Sequence, residues 1–248
     1  MALIDNLVSY WKLDEESGTR VDAHSTNTND LTDNNTVLFG AGIISNAADF
    51  ESANSESLTI TDAAQTGLDI TGDLSYSCWI NFESTPTTDN GMAISAKWGA
   101  LANRSYYFLL LNNGGTLQLG FFSHDGSSGV FRGVNWTPSL ATWYHVAVVY
   151  TAAGGTADFY VDGAQQGAQQ SGLQTALNSA AGTFAIGQTN TTPADFMDGL
   201  IDELGIWDRA LTASEISDLY NGGAGLAYPL SSGTTVFPQP TLLTLGVG

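Results

Sequence analysis

Two groups of oxygen-bearing residues in this chain have the make-up of a divalent-cation site. The loop Val21-Asp-Ala-His-Ser-Thr-Asn-Thr-Asn-Asp30 offers carboxylates at Asp22 and Asp30, amides at Asn27 and Asn29, and backbone carbonyls between them. Ca²⁺ prefers such a mixture, supplied by a loop loose enough to wrap it. The second group is Asp202-Glu203, set in the middle of the otherwise apolar run Leu200–Trp207. Carboxylates in an apolar strand are costly unless paired, hydrogen-bonded or bound to a metal. A third set could read a sugar, since aromatic faces stack on pyranose rings and polar side chains bind hydroxyls. Its members are Trp98, Trp136, Arg132, His124 and Asp125, all expected in loops. Each alone is more often a packing residue than a ligand, because large aromatics are mostly buried.

The elements that must position these residues read as strands. Tyr106–Leu111, the turn Asn112-Asn-Gly-Gly115 and Leu117–Phe122 form one hairpin, with glycines supplying the positive φ a tight turn needs. Trp143–Tyr150, Ala152-Ala-Gly-Gly155 and Ala157–Val161 form a second, and Asp162-Gly163 starts a third. The six prolines largely avoid these runs. The strand Leu200–Trp207 leads into one short helix. Thr212 and Glu215 have capping-box spacing, Ile216, Leu219 and Tyr220 form its buried stripe, and Asn221-Gly222-Gly223 ends it. The fold expected is all-β: a two-sheet antiparallel jelly-roll sandwich with one short C-terminal helix.

Five motifs in order resemble the LamG-like jelly-roll domains of the concanavalin A-like lectin/glucanase superfamily. They are Leu7–Gly18 (LVSYWKLDEESG), Leu74–Phe82 (LSYSCWINF), Thr142–Tyr150 (TWYHVAVVY), Phe159–Gly163 (FYVDG) and the closing Gly199–Tyr220 segment, GLIDELGIWDRALTASEISDLY. The resemblance covers roughly residues 5 to 225 and implies one structural Ca²⁺, held by Asp22, the Asn27 region and Asp202. His24 and Thr26 depart from the family's usual small or glycine residues in that loop. The resemblance also makes Trp11, Trp79, Trp143 and Trp207 core residues and has Glu203 anchor the opening strand by a hydrogen bond. The superfamily's glucanases carry an E-x-D-x-x-E strand whose alternate carboxylates project into a cleft. No such run is present, and Asp202 and Glu203, being adjacent, are expected on opposite sheet faces. Asp195 and Asp198 also lack that spacing, no G-x-S-x-G motif occurs, and the expectation is a protein that is not an enzyme.

A chain of 248 residues suffices for one large β domain. Six basic residues against 25 acidic ones give a formal charge of -19, which argues against nucleic-acid partners and anionic membranes. No stretch approaches the ~20 apolar residues of a membrane span. The single cysteine, Cys78, excludes an internal disulfide and is expected to pack as a small hydrophobe. Met1–Val8 has no basic export segment, which points to synthesis in the cytosol, with secretion only if the sequence has been shortened. The domain is expected to span 1–225. The uncharged, proline-containing segment 226–248 is read as an arm docking on its own domain or on other protein subunits. Two functional readings result. The first is a structural component of a larger assembly, such as a phage virion decoration or fibre protein, with some glycan binding. The second is a calcium-dependent, lectin-like carbohydrate-binding module.

Overall fold

Period-two patterning between turn residues yields many short strands that close on one another in two layers. The computed structural model describes residues 1–24, 28–179, 181–191 and 194–231. The first strands are β1 (Leu7–Trp11), β2 (Thr32–Asn34), β3 (Leu38–Ala41), β4 (Asn46–Phe50) and β5 (Ser57–Ile60). The long central strands are β6 (Leu74–Phe82), β7 (Gly91–Trp98), β8 (Arg104–Asn113), β9 (Thr116–His124) and β10 (Gly129–Asn135). The rest are β11 (Trp143–Thr151), β12 (Thr156–Val161), β13 (Ala164–Gln165), β14 (Gln170–Ser171), β15 (Phe184–Ile186) and β16 (Gly199–Trp207). One sheet runs β13-β12-β11-β6-β16-β4-β3, with β1 also on β16 and β14 on β12. The other runs β10-β9-β8-β7-β15-β5-β2. The expected hairpins form in register: Asn113 pairs with Thr116 across Gly114 and Gly115, both at positive φ.

The core lies between the sheets. On β6, Leu74, Tyr76, Cys78, Ile80 and Phe82 face Phe108 and Leu110 of β8, Phe121 of β9 and Phe184 of β15. Each such side chain contributes about 1.5–3 kcal/mol by leaving water. Cys78 is buried there as a free thiol, as its setting beside Trp79 implied.

A second apolar cluster covers the outer face of the first sheet. Leu3, Leu7, Tyr10, Val149, Tyr160 and Trp207 pack with Leu211 and beneath Ile216 and Leu219 of the helix α1 (Ala213–Tyr220). Trp79 also lies on this outer face, against His145 and Tyr220. Trp143 is not a core residue. It pairs with Asn81 on the outer face and stays half-buried, because α1 does not extend over that end of β11. Leu226, Tyr228 and Leu230 add to the second cluster, with Tyr228 5.3 Å from the Tyr10 ring and its hydroxyl 3.3 Å from His24 Nδ1. The remainder of the arm, 232–248, lies outside the described residues.

The helix starts as its residues dictate. Thr212 Oγ1 accepts from the Glu215 amide at 3.3 Å, and Glu215 Oε2 accepts from the Thr212 amide at 2.8 Å. Arg209 then donates to both oxygens of Glu215, at 3.0 and 2.7 Å. Burial pushes the Glu215 carboxyl up, but the bonds from Arg209 and Thr212 outweigh it and bring the pKa to about 2. This depressed value stabilises the fold above the ordinary carboxyl range, and the contribution is lost as pH falls from about 4 toward 2. Glu215→Gln is therefore expected to lower stability by roughly 2 kcal/mol at pH 7 and to match the parent near pH 2. Urea titrations at the two pH values check this.

Two of the few cations are wholly internal. Lys97 Nζ donates to Asp62 at 2.8 Å and to the Gly182 carbonyl at 2.8 Å, with Asp69 at 3.0 Å. The Arg20 guanidinium is likewise buried and donates to the carbonyls of Gly18, Val37 and Leu38. Among the described residues no helix is long and apolar enough to cross a membrane.

Candidate functional site

The 22–30 loop is held together by Asp22. Its Oδ1 accepts from the amides of Tyr10 (3.0 Å) and His24 (2.9 Å), and its Oδ2 from the Asn29 amide (3.1 Å). Its own amide donates to Asp30 Oδ1 at 2.9 Å. Asn29 is also committed: Nδ2 donates to Ser9 Oγ and the Thr66 carbonyl, and Oδ1 accepts from the Thr66 amide. Asn27 lies outside the described residues.

Asp202 and Glu203 do not face opposite sides of the sheet. Asp202 pairs with Trp79 and Gly205 with Ser77, so β16 spends one residue more than β6 over this interval. The extra residue is a β-bulge, with Glu203 in the left-handed region at φ 52°. Its effect is to turn both carboxylates outward. Asp202 Oδ2 accepts from the amides of Ile43 (2.8 Å) and Ile44 (3.0 Å), while Glu203 Oε2 accepts from the Tyr10 hydroxyl. Glu203 thus ties the opening strand to the closing one, as the resemblance implied. Asp202 Oδ1 and Glu203 Oε1 are buried without a partner among the described residues. Burial, partly offset by these hydrogen bonds, pushes Asp202 up to about 7 and Glu203 up to about 8. Such an orphaned oxygen suits a proton or a cation. Asp22, by contrast, already uses three of its roughly four lone-pair sites.

Register assembles an acidic cluster that the sequence does not announce. Leu200 pairs with both Asp49 and Asn81, which aligns the ends of β4 and β6. Asp49, Glu51 and Glu83 thereby bring carboxylate oxygens within 4.8 Å of one another. Desolvation raises the pKa of all three, helped by repulsion from Glu56 and Asp198 at Asp49, from Asp49, Asp198 and Glu56 at Glu51, and from Asp49, Glu51 and Asp198 at Glu83.

The sugar-reading candidates separate. Trp98 ends β7 and is buried on the outer face of the second sheet, with the Arg104 guanidinium 5.1 Å above its ring. His124, at the end of β9, stands edge-on to it at 5.7 Å, and its Nδ1 accepts from the Gly126 amide. Burial and Arg104 lower the His124 pKa, leaving the ring neutral at pH 7. Asp125 is exposed, and its Oδ1 accepts from the amides of Ser127 and Ser128. Arg132 lies within β10 and donates to the carbonyls of Ser171 and Phe131. Trp136 packs at the edge of the main core against Phe82 and Tyr144. Trp98, His124 and Arg132 thus sit in strands rather than loops, and only Trp98 and His124 meet.

What joins Trp98 instead is a bank of rings: Tyr107 at 5.9 Å, Phe122 at 5.4 Å, and Phe131 4.9 Å beyond Phe122. Phe122 and Phe131 are half-buried. A Cβ on Gly120 would stand 2.2 Å from the Phe131 ring and one on Gly133 2.9 Å away, so glycines form the floor on which that ring lies. The signal was present in Tyr106–Leu111, where an unbroken apolar run marks a strand covered on both faces.

At the far end, the Tyr107 hydroxyl donates to Asp195 Oδ2 at 2.8 Å. Beside it opens a pocket of about 300 Å³ lined by Ser52, Ser84, Thr85, Thr87, Asn90 and Phe196, among others. Asp198 Oδ1 accepts from the amide (3.2 Å) and hydroxyl (3.0 Å) of Ser52, and its Oδ2 accepts from the Ser84 hydroxyl. Asn90 Nδ2 donates to Thr87 Oγ1 and to the Thr88 carbonyl.

A family model described as the concanavalin A-like lectin/glucanases superfamily matches residues 52–217. No curated protein matches the sequence. Among solved structures, domain 4 of an extracellular arabinanase from Geobacillus stearothermophilus, determined with arabinotriose, superposes with a TM-score of 0.63 at 22% identity. That match covers 86% of this chain and 97% of the other. The binding domain of Paraclostridial Mosquitocidal Protein 1 matches with a TM-score of 0.67 at 16% identity, over 89% of this chain and 53% of the other. The binding domain of Botulinum Neurotoxin DC, in complex with SialylT, gives 0.66 at 13% identity, over 89% and 52%. The chain thus spans about half the length of these toxin domains.

Proposed function

The chain belongs to the concanavalin A-like lectin/glucanases superfamily, and from that membership we infer that it binds carbohydrate without turning it over. The observation that carries this reading is the outer face of the second sheet. There a bank of rings ends in half-buried Phe122 and Phe131 on a glycine floor, with a hydroxyl-lined pocket at the other end. The accessible part of such rings presents the flat apolar surface that sugar C–H faces cover. The arabinotriose held by the arabinanase domain is in keeping with it.

Absence of turnover is supported by how the carboxylates of β16 and of the 195–198 segment are used. Glycoside hydrolysis needs two carboxyls facing each other across a cleft, about 5–9.5 Å apart. Asp202 and Glu203 are buried against Tyr10 and the 43–44 amides, while Asp195 and Asp198 are engaged by Tyr107, Ser52 and Ser84. One structural Ca²⁺ is part of the proposal. Asp202 Oδ1 would be its main protein oxygen, with Asp22 and Asn27 contributing from the loop; bound there, the ion would neutralise buried carboxylate charge.

Glycan-array binding followed by calorimetry tests the function. Saturable binding with no release of reducing sugar is expected, and Phe131→Ala should weaken it about tenfold. A parent protein that binds no glycan at millimolar concentration sinks the reading. The assembly reading, a virion decoration or fibre component, has one observation in its favour. Ala2, Ile4, Pro229 and Leu230 line an apolar groove of about 240 Å³ next to the last described residue, Ser231. Light scattering of the full chain beside one lacking 232–248 decides that point: a defined oligomer lost with the segment favours assembly, and an unchanged monomer removes it.

A further inference from the structure

The geometry points to the pocket between the 84–92 and 194–198 segments as the saccharide subsite, and to a ligand that is neutral or cationic, never anionic. This rests on the carbohydrate-binding reading and adds where the sugar sits and which sugars are admitted.

The argument starts from which hydrogens are already spent. The hydroxyls of Ser52 and Ser84 both donate to Asp198, so each turns only lone pairs toward the cavity. Asn90 commits its Nδ2 hydrogens to Thr87 Oγ1 and the Thr88 carbonyl, which leaves Oδ1 as its open atom. Three of the polar lining groups therefore offer acceptors. A guest must supply donors, as the hydroxyls of a sugar or the ammonium of an amino sugar do. Thr85 and Thr87 are exposed at the rim, and their hydroxyls can serve as donor or acceptor. Phe196, Met92 and Pro86 supply the apolar wall that a sugar's C–H face needs.

Charge sets the second half of the selection. Glu51 and Glu83 immediately precede Ser52 and Ser84 in the chain, and with Asp49 their oxygens converge within 4.8 Å. The pocket's lining contains no Lys or Arg. A uronate, sulfate or sialyl carboxylate would meet acceptor lone pairs and like charge with no cation to pair it, an arrangement that rejects the wrong partner.

The test is calorimetry with arabinotriose, cellotriose and chitosan trisaccharide as neutral and cationic probes, and trigalacturonate and sialyllactose as anionic ones. The full chain should bind at least one of the first group and neither of the second. Thr85→Trp, at an exposed position where bulk fills the pocket without disturbing the core, should abolish that binding. Asn90→Ala should weaken it about tenfold, the loss of one hydrogen bond. Unchanged melting temperatures establish that both variants fold. Binding that survives Thr85→Trp and Asn90→Ala but falls with Phe131→Ala overturns this subsite while the carbohydrate-binding reading stands. Binding of trigalacturonate or sialyllactose as tight as that of the neutral probes overturns the charge selection. No binding of any probe by the parent chain overturns both.

Discussion

In metal-free buffer the melting temperature of this domain is expected to fall by roughly 10 °C between pH 6 and pH 9. The source is the bulge in β16. Burial holds Asp202 at about 7 and Glu203 at about 8, against ordinary values near 4. The folded state therefore binds these protons more tightly than the unfolded chain does. The resulting stability is fully present below about pH 4 and is lost as pH rises through 7 and 8. His145 acts in the opposite sense. Burial pushes its pKa down to about 3, so its contribution is lost as pH falls below about 6.5. Above about pH 4 the two carboxyls lose stability faster than His145 restores it, so the maximum should lie at about pH 4 to 5. The net loss between pH 6 and pH 9 is on the order of 3 kcal/mol, and each kcal/mol moves the transition by about 2–4 °C in a domain of this size. The two carboxyls interact, so their losses do not add as independent terms. Asp202→Asn combined with Glu203→Gln should flatten the alkaline limb. Excess calcium should flatten it in the parent if an ion takes the place of the Asp202 proton. Scanning calorimetry across this range decides the matter. A flat parent profile without calcium would refute the burial argument, and calcium without effect would remove the ion.

Gly199→Ala is expected to cost on the order of 3–5 kcal/mol, the range in which a substitution points to a single specific cause. The residue sits at φ 131° in the centre of the first sheet, where a Cβ would stand 2.1 Å from the Asn81 carbonyl oxygen and 3.0 Å from the Glu83 amide. Neither neighbour can withdraw, because Gly199 pairs with Phe82 on one side and Phe50 on the other. Relief requires parting β16 from β6, and the Asp49–Leu200–Asn81 alignment goes with it. Gly72→Ala is the control: its Cβ would meet nothing within 4 Å and its φ is not in the left-handed region. Denaturant titration should move the Gly199→Ala midpoint far below that of Gly72→Ala. Coincident midpoints would show that the strand contact is slack.

Most of the fold is legible in the chain because local rules and tertiary packing agree. Alternation on β6 marks its core residues, paired glycines mark the hairpin turns, and Thr212 with Glu215 marks the start of α1. What cannot be read is whatever depends on pairing across the sheet. The bulge that turns Glu203 to the side of Asp202 appears only once β16 is laid against β6. The Asp49, Glu51 and Glu83 cluster likewise needs the β4–β16–β6 register. Trp143 and Trp98 carry a related lesson. A tryptophan in a strand motif faces the core only if its parity does, and one near a strand end can be buried on the outer face instead.

The burial of Lys97 and Arg20 has a consequence for how fast anything can reach this protein. With those two charges turned inward and Arg209 bound to Glu215, little positive charge is left outside to interrupt the carboxylates. In dilute buffer the molecule is surrounded by a sheath of mobile cations about 10 Å deep at 0.1 M salt. An uncharged guest crosses that sheath unhindered, and its on-rate is indifferent to ionic strength. A polyanion is slowed by the protein's own negative charge, which that sheath only partly screens, and added salt speeds its arrival.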